Sequence, residues 1–224
     1  MGTPVPIASK TGHRFAQWLR GGDRDSIRAV EERAKRIVMA AIELAEKGGF
    51  EGVRLRDVAA HAQVALGTLY RRFRSKEELL LAALELQMTS LEQRFAGEPL
   101  ASAAALDRVD AFFRTTTEGM CSRPHLARAL VRAVVAGGPE LSLRVAAFHH
   151  RMEAMIARAL RGGGGSDEPP SPVEQRVGQA LVHVWFASLS GWASGLHGVE
   201  TIIEETHSAA DLILGGAARV AAPD

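Results

Sequence analysis

The chain has 224 residues, 46% of them hydrophobic and 24% charged, which suits one compact domain or two small ones. That balance excludes a disordered, fibrous or strongly acidic chain, and no run of 18 apolar residues offers a membrane span. The single cysteine, Cys121, excludes an internal disulfide framework and a cysteine-based zinc site.

The opening MGTPVPIASKTGHRF lacks the basic-then-apolar order of a signal peptide, so the expected location is cytoplasmic. Residues 1–25 hold glycines, Pro4 and Pro6, Phe15 and Trp18, with no helical period, and read as a flexible arm. Residues 27–47 place Ile27, Val30, Ala34, Ile37, Val38, Ala41, Ile42 and Ala45 on one face of a helix that Gly48 and Gly49 end. Two short helices follow, Leu55 to Ala62 and Leu66 to Phe73, broken at Gln63 and Val64. Ser75 and Glu78 form a capping box opening a helix to about Phe95.

Further helices are expected near 103–121, 124–136, 139–161, 173–197 and 199–219. Between two of these, RGGGGSDEPPSP (161–172) reads as a mobile linker; a phosphate cradle would need a strand before it and a helix N-terminus after it. Strand signals are nearly absent, so the fold class is all-α. The expected division is an arm at 1–25, a helix-turn-helix unit at 26–74, a connecting helix at 75–95 and a larger helical domain at 96–224.

Charge is unevenly spread. Residues 1–95 carry 16 Lys and Arg against 12 Asp and Glu, whereas residues 96–224 carry 11 against 14. Within 54–76, Arg54, Arg56, Arg71, Arg72, Arg74 and Lys76 face only Asp57. Such a cluster suits a polyanion, and equally a solvated face. Two short helices joined by a tight turn inside it have the layout of a helix-turn-helix, whose second helix enters the major groove.

The run FEGVRLRDVAAHAQVALGTLYRRFRSKEELL (50–80) resembles the DNA-binding domain of the TetR family of bacterial one-component repressors, through RDVA, AxVxxGTLYxxF and SKEEL. The resemblance implies a DNA-binding set of Arg54, Arg56, Ala65, Leu66, Gly67, Thr68, Tyr70, Arg71, Arg72 and Lys76. Gly67 stands where a side chain would obstruct close packing on DNA or on the preceding helix, and costs about 1 kcal/mol inside a helix. Thr68 is short enough to approach a base edge. Tyr70 offers a hydroxyl to a phosphate, and Arg71 or Arg72 a fork to a guanine or phosphate. Leu69 and Phe73 face the core.

Lys76 lies in a helix's first turn, where the dipole disfavours a cation, so an external anion is expected to compensate it. The matching lysine of the family binds phosphate. Three positions depart from the family pattern: Arg54 and Ala65 replace capping Ser or Thr, and Gln63 replaces a turn glycine. Each lost cap costs about 1 kcal/mol.

The larger half shows no catalytic constellation, and no cofactor, metal ion or enzymatic activity is expected. His149-His150 offer only His149 with Glu153 as a ligand pair, GWASG (191–195) misplaces its serine for a nucleophile elbow, and Cys121 lacks a base. An apolar cavity is expected from Phe112, Phe113, Thr116, Met120, Leu130, Val134, Phe148, Met152, Met155, Trp185, Leu189 and Trp192, with Leu126, Ile156 and Phe186 nearby. Each of these residues is also an ordinary core residue in the plainer reading.

SRPHLARALVRAVV, HHRMEAMIARAL, LVHVWFASLSGW and AADLILGG resemble repressors of steroid catabolism in actinobacteria, a group that senses steroid CoA thioesters. Ala180, Val184, Ala187, Ser188, Ala209, Leu212 and Ile213 suit a two-fold four-helix interface between copies. The partners expected are double-stranded DNA, a second copy of the chain and a small apolar ligand of the steroid or fatty acyl-CoA class, with no membrane. Two alternatives stand beside this reading: a repressor of a drug-efflux gene, and an apolar-ligand carrier or enzyme with a vestigial DNA-binding domain.

Overall fold

The computed structural model describes residues 11–97, 104–162 and 169–221, with side chains over 28–96, 104–162 and 169–216. Among these residues no strand occurs, and the helices are α1 (Thr11–Gly52), α2 (Leu55–His61), α3 (Leu66–Arg72), α4 (Lys76–Gly97), α5 (Ala105–Cys121), α6 (Pro124–Ala136), α7 (Ser142–Arg161), α8 (Pro172–Ala193) and α9 (Val199–Ala221). A single 3₁₀ turn, Pro139–Leu141, precedes α7.

The expected arm is overturned from Thr11 onward, where the chain is already helical. No proline lies between Pro6 and Pro99, and the buried stretch from Ile37 to Ala45 anchors a helix that then propagates at little cost per residue. Gly21 and Gly22 weaken that extension by about 1 kcal/mol each without stopping it. Residues 1–10 lie outside the described residues. Ile37, Val38, Ala41, Ile42 and Ala45 are buried as the periodicity requires, while Val30 is exposed. Gly49 interrupts α1 with φ +59°, a left-handed conformation, and so turns Phe50 back onto the core.

α1 packs on α2, α4 and α6, and α2 on α3, so the first three helices make a compact unit from which α4 emerges. α4 then packs on α6 and α7, α5 on α7 and α9, and α8 on α7 and α9. One apolar core runs through both halves, from Ile37, Leu69 and Leu79 to Phe112, Met152, Trp185 and Ile202. Each such buried side chain is worth about 1.5–3 kcal/mol. At the centre, the Trp185 indole donates to Thr117 Oγ1 at 2.9 Å, giving its one polar atom a partner.

Polar clamps set the packing around α7. The Arg108 guanidinium, itself buried, donates to the carbonyls of Ala159 and Leu160 at 2.7 and 2.6 Å, closing the C-terminus of α7. Arg144 forks onto Glu85, both contacts at 2.8 Å, and Arg151 onto Glu92, both at 2.7 Å. The two pairs are seven residues apart on each helix, so they bind α4 to α7 along one shared stripe.

α7 ends at Gly162, with φ +82°, and α8 opens with Ser171 as a capping box to Glu174 and Pro172 in its first turn. Arg161 joins the two ends, donating to both Glu174 oxygens at 2.8 and 2.7 Å and to the Pro169 carbonyl. The expected linker falls largely on residues 163–168, outside the described residues. α8 stops at Ala193 and not at 197, because Gly195 takes φ +83° and its amide closes on Trp192.

Candidate nucleic-acid interface and interior cavity

α2 and α3 meet through the turn Ala62-Gln63-Val64. Gln63 holds φ +54°, the conformation a glycine takes without strain, and a side chain there costs about 1–2 kcal/mol. Neither Arg54 nor Ala65 caps its helix with a side chain, as their residue types require. Leu69 and Phe73 lock α3 inward, 0% and 4% exposed. Its opposite face is open: Leu66, Gly67, Tyr70, Arg71 and Arg72 are exposed, as are Ala65, Arg54 and Arg56. Thr68, half-buried, accepts from Arg71 Nη2 at 3.1 Å, so two of the candidate contact residues hold each other in the free protein.

The packing role considered for Gly67 is overturned. A Cβ built there meets no atom within 4 Å, so no neighbour in the chain demands a glycine. Lys76 meets an anion within the chain. Its ammonium contacts Glu51 at 3.2 Å and lies over the Phe50 ring at 3.9 Å, so the charge at the start of α4 has an internal partner in the free protein. Arg132 of α6 takes the other Glu51 oxygen at 2.9 Å and covers Phe50 as well. Lys76 and then Arg132 hold the Glu51 carboxyl below the usual range. In the cap, Ser75 Oγ accepts from the Glu78 amide at 3.1 Å, but the Glu78 carboxylate reaches the Arg74 amide and not that of Ser75.

A cavity of about 220 Å³ lies between α4, α5, α6, α7 and α8. Thr116, Met120, Leu126, Leu130, Phe148, Met152 and Trp185 line it as expected. Phe112, Phe113, Val134, Leu189 and Trp192 do not; they are buried core, because their side of each helix faces a neighbouring helix. Ile156 is fully buried core, Phe186 packs against that core, and Met155 lines a separate surface groove with Glu92, Arg151 and Arg158. Sequence periodicity missed six lining residues of α4, namely Leu84, Gln87, Met88, Ser90, Leu91 and Arg94, and also Thr115, Gly119, Arg123 and Ala127. Only tertiary packing decides which face of α4 turns inward.

The candidate interface between copies is mixed. Leu212 is 72% exposed and Ala187 is exposed, whereas Ala180, Val184, Ala209 and Ile213 are half-buried. Ser188 is corrected: it is buried and donates to Glu205 of α9 within the same chain, which leaves it nothing to present to a second copy.

No group of three or more metal-ligating side chains occurs among the described residues. Glu153 meets His150 Nδ1 at 3.1 Å and not His149. His149 packs against Phe148, Phe186 and His183, and burial and then His183 push its pKa down. Burial pushes the Cys121 thiol up to about 11, an unreactive state. Ser194 donates to the Ser190 carbonyl, as a helix-end hydroxyl does.

Comparison with known proteins agrees with this geometry. Residues 37–83 match the family described as "Bacterial regulatory proteins, tetR family", and residues 103–213 match "Tetracyclin repressor-like, C-terminal domain". The chain is 31% identical over 199 residues to the HTH-type transcriptional repressor KstR of Rhodococcus jostii, covering 89% of this chain and 91% of that one. It is 29% identical to KstR of Mycobacterium tuberculosis, covering 84% and 83% of the two chains. A TetR transcriptional regulator from Rhodococcus sp. RHA1 superposes with a TM-score of 0.72 at 25% identity, over 82% of this chain and 96% of that one. The fold is also that of Thermus thermophilus FadR, solved in complex with lauroyl-CoA, with a TM-score of 0.59 at 22% identity over 82% and 94% of the chains. The chain belongs to the TetR family of bacterial transcriptional regulators.

Proposed function

We propose that this chain is a ligand-responsive repressor that binds a palindromic operator as a dimer and is released by a large apolar ligand. The observation that carries the reading is that α4 is shared. Its first turn follows α3 by four residues and holds Lys76 against Glu51 at the end of α1, and its later turns form one wall of the cavity. At about 220 Å³ the cavity is smaller than the roughly 300–1,000 Å³ of a typical small-molecule site, so a sizeable ligand must widen it. Met88, Met120 and Met152 in the wall adapt readily. Pushing α4 outward changes the placement of α3 relative to its copy. A ligand that prefers the widened state therefore weakens DNA binding, and DNA weakens ligand binding by the same factor. Relatives named as repressors and an acyl-CoA bound in a fold neighbour support the regulator and ligand classes.

The test is fluorescence anisotropy with duplex DNA from upstream of the chain's own gene against a scrambled duplex at physiological salt. A preference of about 10³-fold or more establishes specific binding. Tyr70→Ala and Lys76→Ala should each weaken operator binding about tenfold while leaving ligand affinity intact. Retained operator affinity in both variants would remove these residues from the interface.

A further inference from the structure

Two cations stand in the wall of an otherwise apolar cavity. The body is apolar, with Leu130, Phe148, Met152 and Trp185 at its heart, and no Asp or Glu lines it, yet Arg94 and Arg123 both do. Arg94 is exposed and has no ion-pair partner among the described residues. Arg123 is held on both arms: Nη1 donates to Glu46 of α1, outside the cavity, at 2.9 Å and Nη2 to Gln87 of α4, in the cavity wall, at 2.8 Å. It is also the residue from which α6 starts. One guanidinium thus touches the cavity, the helix that supports the DNA-binding unit and the helix that connects the two halves.

We propose that Arg94 and Arg123 form an anion subsite of the cavity, and that an anionic group seated there draws Arg123 from Glu46 and so loosens α6 from α1. The inference rests on the ligand-responsive reading above and narrows its ligand to an amphiphile, an apolar body bearing a carboxylate or phosphate. A guanidinium edge binds one bidentate acceptor well, and the Nη1 and Nη2 edge of Arg123 is occupied by Glu46 and Gln87. A ligand anion therefore competes for that edge with the DNA-binding half of the molecule. When it wins, Arg132–Glu51 is the ion pair left between α6 and α1, and Glu51 is the carboxylate that holds Lys76. The consequence reaches the start of α4 without any contact between ligand and DNA.

The experiment pairs lauroyl-CoA with 1-dodecanol, the same chain without charge, and measures probe binding by calorimetry and operator binding by anisotropy. In the wild-type protein lauroyl-CoA should bind at least about tenfold tighter than 1-dodecanol and release the operator. Arg94→Gln and Arg123→Gln should each weaken lauroyl-CoA about tenfold and leave 1-dodecanol within about twofold. Glu46→Gln, which removes the competitor, should tighten lauroyl-CoA, and the factor by which lauroyl-CoA weakens operator binding should fall about tenfold. Tight binding of laurate assigns a carboxylate to the subsite; binding of lauroyl-CoA alone assigns a phosphate. Equal losses for both probes in Arg123→Gln, or an unchanged coupling factor in Glu46→Gln, would overturn the subsite. Arg123→Lys, which keeps the charge but not the fork, serves if the glutamine variant unfolds. A wild-type operator complex indifferent to both probes would overturn the ligand-responsive reading itself, which is a different result from either.

Discussion

Gly67 shows how a residue's surroundings separate two roles that its type leaves joined. A glycine inside a helix is kept for close packing or for close approach by something outside the chain, and the letter alone fits both. With no atom within 4 Å of a Cβ built there and solvent over it, packing is gone as a reason. Gly67→Ala should therefore raise thermal stability by about 0.5–1 kcal/mol, through helix propensity, while weakening operator binding. Melting curves and anisotropy on the same variant check both. Loss of stability with intact DNA binding would return Gly67 to a structural role. Lys76 carries the complementary lesson, since a cation at a helix start signals a nearby anion but not whether that anion lies inside the chain. Glu51, 25 residues earlier, answered it here.

At the scale of elements, most helices were legible because their signals are local. The 3.6-residue period, the Ser75 cap and the glycine at 49 each act within one turn of their own position. Helix ends and faces that depend on distant contacts were not legible: the early start of α1, the inward face of α4, and Ser188 turned to Glu205. The Arg161–Glu174 lock between α7 and α8 is one such distant contact, and it has a pH signature. The Arg161 fork first, then the Ser171 amide and hydroxyl, hold the Glu174 carboxyl down at about 2. Because the folded value lies below the unfolded one, its stabilisation is full above about pH 4.5 and is lost as pH falls toward 2. Glu174→Gln should lower Tm at neutral pH and flatten its decline between about pH 4.5 and 3. A wild-type decline of unchanged steepness in the variant would show that the lock contributes nothing to acid stability.

For the whole molecule, the question is whether cavity and DNA face act as separable parts joined by α4 and α6. Gly119 offers a clean handle on this, since it lines the cavity and sits late in α5, far from α3 in the chain. A Cβ placed on it meets no atom within 4 Å. Gly119→Phe seats its Cβ in open space and adds a ring at the cavity wall, and it removes a helix-interior glycine that costs about 1 kcal/mol. The variant should fold at least as stably and bind the operator within about twofold of wild type, because α2, α3 and their turn are untouched. Its affinity for lauroyl-CoA should fall at least about tenfold, a loss of about 1.4 kcal/mol, so that the operator complex persists at ligand concentrations that dissolve the wild-type complex. Anisotropy of the labelled operator complex, titrated with the probe, reads both quantities in one curve. Release at the wild-type concentration would mean that the ligand enters elsewhere. Loss of operator binding without any ligand would mean that filling the cavity is itself the switch, and that the wild-type ligand acts by volume before it acts by charge.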